Sequence, residues 1–258
     1  MKQALVPGLL LSALLAPVCG PAAAQAWTQP RNGGLVILKF EPMRADQAFD
    51  EDGTLLPIVS DRDDDTIALF AQYGLTDAFT LQLKADLQRG EDVGVSYEGA
   101  GPIEIGIVSR LYRGPRTAVS LYAGYAHGGG GRGSVYSAPG EGGSDAEVRL
   151  SIGTSRPVRR LGGAEAFLEI QTAVRLREDL ADEARVDVTA GLHLGANWML
   201  LTQGYAGATE DRTSWLTSET SIVRRFGSWN LQAGWRQTLA GRNAAALEGP
   251  VIAIWRRF

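Results

Sequence analysis

The segment Phe79–Gln88 reads Phe-Thr-Leu-Gln-Leu-Lys-Ala-Asp-Leu-Gln, so that apolar residues alternate with polar or charged ones. Because successive side chains of a β-strand point to opposite faces, this pattern predicts a strand with one apolar and one polar face. The alternation returns over ten residues at Arg185–Leu194, and in shorter form at Ala146–Gly153 and Trp229–Arg236. Strands in globular proteins are usually about five or six residues long. Longer alternating strands are typical of a barrel wall with lipid outside and a polar lumen inside.

The N-terminus has the features of a secretion signal. Lys2 precedes the apolar run Leu5–Val18, and a group of small residues follows that run. This order is typical of a signal peptide, and the small residues predict cleavage after Ala24 or after Ala26.

We therefore expect residues 1–26 to be a cleaved signal peptide and residues 27–258 to form one barrel domain. Cys19 is the only cysteine and would be removed with the signal. A lipoprotein anchor at this cysteine is disfavoured because Val18 is larger than the small residue required before it. Disulfides, thiol catalysis and cysteine-based metal sites are therefore not expected.

The mature part contains no apolar run approaching the roughly 18 residues that a membrane helix needs. Such a chain can lie in a membrane only as a closed barrel, because an open sheet leaves backbone groups unpaired in hydrocarbon. The predicted fold class is all-β, an antiparallel up-and-down transmembrane β-barrel. The net charge of −4 gives no indication of nucleic-acid binding.

Turn signals divide the mature chain into twelve predicted strands. They are Gly34–Arg44, Asp64–Tyr73, Phe79–Arg89, Pro102–Tyr112, Ala118–His127, Asp145–Ser155, Ala164–Arg177, Arg185–Ala196, Trp198–Gly207, Trp215–Phe226, Trp229–Ala240 and Glu248–Phe258. Tyrosines, tryptophans and phenylalanines near the strand ends predict an outward-facing aromatic girdle at the membrane interfaces. The girdle residues are Tyr73, Phe79, Tyr125, Tyr205, Trp229, Trp235 and Phe258.

The connections between these strands alternate in length. The short ones are Gly74–Asp77, Arg113–Thr117, Asn197 and Gly227–Ser228, with Arg156–Gly163 somewhat longer, and the long ones are Ala45–Asp63, Gly90–Gly101, Gly128–Ser144, Glu178–Ala184 and Ala208–Ser214. Bacterial barrels place short turns in the periplasm and long loops outside. An even strand count then puts both termini in the periplasm. Charge opposes this orientation, because the short turns are basic and lipopolysaccharide phosphate would attract basic outer loops.

Three short motifs resemble a known family. The mature chain starts near Ala-Trp-Thr-Gln-Pro (26–30), has the turn Tyr-Gly-Leu-Thr-Asp (73–77), and ends in Phe258. Together they are similar to the outer-membrane proteins grouped under the meta-pathway of phenol degradation, or to other proteobacterial outer-membrane proteins. The resemblance implies a barrel that takes up hydrophobic small molecules, and a terminal Phe258 read by the barrel-insertion machinery. The chain departs from the usual signal at Arg256, where such barrels often have an aromatic residue.

Charged residues on the polar phase of the strands are the candidate lumen lining. They are Lys84, Asp86, Glu104, Arg110, Glu147, Arg149, Glu169, Arg175, Arg185, Asp187, His193, Glu219 and Arg236. One interpretation is a paired network that fills the lumen, since buried charge is tolerated when it is paired. The other is a mixed-charge channel lining. Twelve strands lie between filled eight-stranded barrels and open sixteen-stranded ones, so both remain open.

Other motifs have ordinary explanations. The acidic stretch Ala45–Asp65 could supply oxygen ligands to Ca²⁺, but the distal bidentate Glu of a calcium loop is missing, so a solvated external loop is predicted. Gly128–Gly131 lacks the Gly-Lys-Ser/Thr of a phosphate-binding loop. His127 and His193 lie in no nucleophile motif, and Gly-x-Ser-x-Gly is absent. No metal, cofactor or catalytic residue is predicted.

The predicted function is a passive pore or uptake channel for small, hydrophobic or aromatic molecules in the outer membrane of a Gram-negative bacterium. Its expected partners are outer-membrane lipid, lipopolysaccharide, the insertion machinery and small solutes. The main alternative is a soluble periplasmic or secreted β-sandwich or barrel with a binding role. A second alternative is an outer-membrane enzyme that modifies lipid.

Overall fold

A computed structural model describes residues 25–92, 95–128, 143–158 and 164–258 of the chain. The predicted signal sequence up to residue 24 lies outside these ranges. The strands are β1 Gly34–Phe49, β2 Leu55–Gly74, β3 Phe79–Asp92, β4 Val95–Ala100, β5 Ile103–Arg113, β6 Thr117–His127, β7 Ser144–Val158, β8 Ala164–Arg177, β9 Glu183–Leu194, β10 Trp198–Thr209, β11 Ser214–Phe226, β12 Trp229–Arg242, β13 Ala244–Ala245 and β14 Glu248–Arg257.

Apart from the short strands β4 and β13, successive strands pair antiparallel along the chain, and the first strand closes the sheet onto the last. Leu38 of β1 lies opposite Leu69 of β2 on one side and opposite Ile254 of β14 on the other. The short strands β4 and β13 continue the lines of β5 and β14, because each pair contacts successive parts of one neighbour. The fourteen strands therefore form a closed wall of twelve, which confirms the predicted barrel.

The polarity of the barrel is the reverse of that of a soluble protein. Gln82 and Glu169 have no exposed surface in the interior, whereas Ile170 is 44% exposed and Ile252 56% exposed on the outside. An outer surface of large aliphatic side chains matches a wall that faces hydrocarbon. Among the residues described, no helix is long and apolar enough to span a membrane.

Two of the predicted long loops are wrong, because the strands extend through them. In place of the loop Ala45–Asp63, β1 and β2 stay paired as far as Phe49 and Leu55. The alternation of side chains also continues, since Arg62 is buried while Asp61 and Asp63 are exposed. The run of acidic residues therefore predicted a loop where the structure has a regular strand.

A tight turn closes this first hairpin. The Asp50 carboxylate accepts hydrogen bonds from the backbone N–H groups of Asp52, at 2.9 Å, and Thr54, at 2.8 Å. Gly53 has a φ of 83°, which is accessible at low cost only without a Cβ atom. The carboxylate at position 50 is thus used by the turn itself, which argues against the calcium interpretation of this stretch.

The loop predicted at Gly90–Gly101 is a second paired hairpin. β3 continues to Asp92 and β4 starts at Val95, with Gly90 opposite Tyr97. Residues 129–142 of the predicted loop Gly128–Ser144, with three of the four glycines of its glycine run, lie outside the residues described. Residues 159–163 of the connection Arg156–Gly163 also lie outside them. At the opposite end of the barrel, the short turns lie between the strands where the sequence predicted them.

One predicted girdle residue points the wrong way. Tyr205 lies opposite Asp187 and Thr217 and lines the lumen rather than the outside. The other six are exposed, from Tyr73 at 39% to Phe258 at 60%. The sequence around Tyr205 has no clear alternation, so its phase depends on strand pairing.

The two faces of the wall should respond differently to a charge. Val188 lies on the outside, 36% exposed, while Gln203 lines the lumen at the neighbouring position of the adjacent strand. We expect Val188→Arg to destabilise the barrel by roughly 2–4 kcal/mol, because the guanidinium would enter hydrocarbon. Gln203→Arg should cost much less, and urea unfolding of the protein in bilayers would measure both. Equal losses would contradict the assignment of faces.

Candidate functional site

Most charged residues predicted for the lumen lie in the barrel interior. Six are buried there, namely Glu104, Glu147, Arg149, Glu169, Arg175 and Glu219. Five more are half-buried on the inward phase, namely Lys84, Asp86, Arg185, Asp187 and Arg236. Arg110 and His193 lie on the same phase near the end with the short turns, opposite Ser120 and Met199. Their part in conduction stays a prediction.

A first charge cluster lies on the wall formed by β3 to β9. The Arg175 guanidinium contacts Glu147 at 2.6 Å and Glu104 at 2.7 Å. Arg185 donates a further bond to Glu147, and the Lys84 ammonium lies 2.8 Å from Glu104. The carboxylates are therefore paired with cations from several strands, as buried charges must be.

Tyr122 connects this cluster to the backbone of the wall. Its hydroxyl donates a 2.6 Å hydrogen bond to Glu104. The ring lies over Gly106 and Gly124, where a Cβ atom would come within 2.5 Å and 2.1 Å of the ring or hydroxyl. The two glycines thus make room for the tyrosine. The Arg149 guanidinium lies over the Tyr122 ring, 4.5 Å from its centre.

A second charge cluster lies on β1, β11 and β12. Arg236 contacts Glu41 at 2.5 Å and Glu219 at 2.6 Å. Lys39 lies 3.1 Å from Glu41, and the Arg236 guanidinium stacks 4.9 Å from the Tyr205 ring. Lys39 and Glu41 were missed in the sequence, although they alternate with Leu38 and Phe40 and so carried the signal of an inward phase.

The N-terminal segment Gln25–Pro30 enters the lumen from the end with the short turns. The backbone N–H of Ala26, a fully buried residue, donates a 2.5 Å hydrogen bond to Glu169. Farther along, Gln29 donates from its backbone to Thr80 and from its side chain to Gln72, both at 2.8 Å. The chain is therefore held inside the barrel by polar contacts with the wall.

Trp27 occupies the lumen at the middle of this segment. Its ring covers Gly153, where a Cβ atom would come within 2.2 Å of it. It also packs against an apolar patch of the inner wall, which has Trp255 and Leu201 at its centre. The patch consists of Leu35, Phe167, Met199, Leu201, Val223, Ala253 and Trp255, with Ile37 and Phe70 beside it. We call the part of the lumen near the short turns the lower lumen and the part near the long hairpins the upper lumen. The lower lumen thus has an apolar side that the sequence did not predict.

Two cavities occupy the space that these groups leave. The lower one, of about 530 Å³, lies against Trp27, the apolar patch and Gln203. The upper one, of about 350 Å³, lies among the cations of both clusters and is also lined by Trp215. Gln25, Asp187 and Tyr205 line both cavities. The two cavities therefore adjoin at this level of the lumen.

The two histidines lie at opposite ends of the barrel. His127 ends β6 beside the long connections, and His193 packs against Phe167 with a ring separation of 6.1 Å. No single site can therefore use both. Within the described ranges, no group of three or more His, Cys, Asp or Glu side chains is placed to hold a metal ion.

The barrel is similar in fold to solved outer-membrane proteins. An outer-membrane channel from Pseudomonas putida F1 is 12% identical, with a TM-score of 0.65 over 91% of this chain and 98% of the channel. The NanC porin is 5% identical, with a TM-score of 0.57 over 86% and 100%. The β domain of the Bordetella autotransporter BrkA is 12% identical, with a TM-score of 0.50 over 88% and 99%.

These similarities show the fold, which is that of an outer-membrane β-barrel. No family model matches the chain, and no curated protein matches it in sequence. The resemblance to the meta-pathway proteins therefore stays a prediction. Because the fold is shared by channels and by an autotransporter domain, it does not by itself decide the function.

Of the arginines in the first cluster, Arg175 should contribute most to the stability of that cluster. We expect Arg175→Gln to destabilise the barrel by about 3–5 kcal/mol, because it leaves Glu104 and Glu147 with less compensation in the interior. Adding Glu147→Gln should recover part of the loss. Arg110→Gln, at the other end of the lumen, is the control and should change little. Unfolding of each variant, monitored by heat-dependent gel migration, would rank the variants by stability. Equal stability of all of them would refute a paired network.

Proposed function

We propose that this protein is a passive outer-membrane channel that admits small amphipathic or aromatic molecules. The observation that carries the proposal is the pair of adjoining cavities inside the closed wall. Of the two predicted states of the lumen, a narrow pore fits these cavities better than a complete plug.

The asymmetric lining supports an amphipathic solute. The lower cavity has Trp27, Phe70 and Trp255 on its walls together with amides such as Gln203. Binding sites for small organic molecules are mostly apolar with a few placed polar groups, and 530 Å³ lies in their usual range of about 300–1,000 Å³. This chemistry agrees with the uptake of hydrophobic molecules that the family resemblance implies.

The proposed location is the outer membrane of a Gram-negative bacterium, with lipid around the wall and lipopolysaccharide beside the outer hairpins. Phe258 fits the role of insertion signal, because it is 60% exposed at the barrel end while its backbone pairs with Gly34. Both predicted cleavage positions leave Trp27 in the mature chain, whereas Gln25 and Ala26 remain only after cleavage behind Ala24. The alternative of a soluble sandwich is disfavoured by the exposed aliphatic wall.

Filling the lower cavity should reduce transport. We expect Gln203→Trp to lower the single-channel conductance and the flux of benzyl alcohol into liposomes, because the indole would occupy the cavity. Val188→Trp places the same ring at the same level on the lipid side, so it should leave both unchanged. If the unmodified protein neither conducts ions nor admits solute, the channel proposal fails.

The N-terminal segment should limit the conductance. We expect Trp27→Ala to raise the single-channel conductance, since it removes the largest side chain that the segment places in the lumen. Trp198→Ala, which removes a 45% exposed tryptophan from the outer surface, is the matched control. An unchanged conductance in Trp27→Ala would place the narrowest part of the path elsewhere.

A further inference from the structure

Arg149 of β7 differs from the other arginines of the upper lumen. It is 3% exposed, yet its Nε and Nη2 atoms have no hydrogen-bond partner. Its Nη1 donates a long bond of 3.4 Å to Gln171, and Nε lies 3.7 Å from Glu147, beyond hydrogen-bond distance. By contrast, Arg175 and Arg236 each have carboxylate oxygens within 2.7 Å.

An unsatisfied buried guanidinium is costly. The fork of N–H donors on a guanidinium matches the two oxygens of a carboxylate. A buried donor without a partner costs about 1–3 kcal/mol, and more when it is charged. Arg149 therefore carries two buried donors without a partner, which a carboxylate bound directly against the guanidinium would satisfy.

The surroundings of Arg149 favour such an anion. The residue lines the upper cavity together with Lys84, Arg175, Arg185 and Arg236. Lys84 and Arg149 lie over the same Tyr122 ring, 5.8 Å and 4.5 Å from its centre. Two acidic residues line the cavity as well, Glu183 and Asp187.

The two acidic residues are not equivalent. Glu183 lies 3.0 Å from Arg185 and 3.9 Å from Arg177, so its charge is compensated. Asp187 stands where the upper cavity adjoins the lower one, and its carboxylate would repel an entering anion. Its removal should therefore act in the opposite direction to the removal of Arg149.

We propose that Arg149, assisted by Lys84, forms a carboxylate-binding subsite in the upper cavity, selective for small organic acids with an aromatic or aliphatic body. The apolar body would lie against Tyr205 and Trp215, which line the same cavity, and would pass from there to the apolar patch of the lower lumen. This subsite rests on the proposed channel function, and it narrows the solute from amphipathic molecules in general to monocarboxylic acids.

The test is benzoate binding to the purified full-length mature protein in detergent, measured by calorimetry. Benzyl alcohol serves as the uncharged analogue. We expect benzoate to bind and Arg149→Gln to weaken it by roughly tenfold to a hundredfold, since charge-assisted hydrogen bonds are lost. Asp187→Asn should strengthen benzoate binding, and neither change should affect benzyl alcohol by more than about twofold.

Controls separate the subsite from the fold and from transport. Arg110→Gln should bind benzoate like the unmodified protein, and heat-dependent gel migration would show that every variant is folded. Benzoate affinity unchanged in Arg149→Gln, or no benzoate binding by the unmodified protein, would overturn the subsite. Benzoate binding without any benzoate flux into liposomes would instead contradict the channel and leave the subsite standing. A benzoate flux that is the same in Arg149→Gln as in the unmodified protein would contradict the subsite alone.

Discussion

The closure of the sheet between β1 and β14 is the constraint on which the rest of the structure depends. In hydrocarbon no water is present to pair with backbone N–H and C=O groups, so a sheet edge cannot be left open there. The antiparallel pairing that joins β1 to both β2 and β14 removes that edge. Once the wall is closed, the residues of each strand face lipid and the confined interior in turn. The alternation in the sequence therefore assigns each side chain to one face.

The interior then has to satisfy the polar groups that the alternation sends inwards. Pairing is the solution at Arg175 and Arg236, each of which joins carboxylates from two different strands. Such bonds tie distant parts of the wall together and resist its deformation, because breaking one leaves a buried charge uncompensated. Where pairing is incomplete, as at Arg149, the interior has hydrogen-bond donors without a partner in the protein. The stability of the barrel and its proposed selectivity therefore arise from the same set of charges.

The N-terminal segment converts this interior into two cavities of different character. It enters along the apolar patch, where Trp27 packs, and reaches Glu169 with its buried Ala26. The upper cavity is lined by many charged residues, the lower one combines the apolar patch with several amides, and the two adjoin at Asp187 and Tyr205. A solute with a polar end and an apolar body would find suitable contacts in both. This order of environments is the physical basis for the proposed uptake of amphipathic molecules.

The sequence by itself determined the strand period, the number of strands and the inward phase of residues such as Glu147 and Arg175, because strict alternation leaves one choice of face. It could not give how far the strands extend into the predicted long loops, since acidic residues such as Asp61 and Asp63 look alike in a loop and in a solvated strand. It also could not place Tyr205, whose segment lacks alternation, or bring Trp27 into the lumen. Which charges are paired was decided only by the tertiary structure, because pairs such as Glu41 with Arg236 join residues almost two hundred positions apart, and only the register of the closed barrel sets their distance.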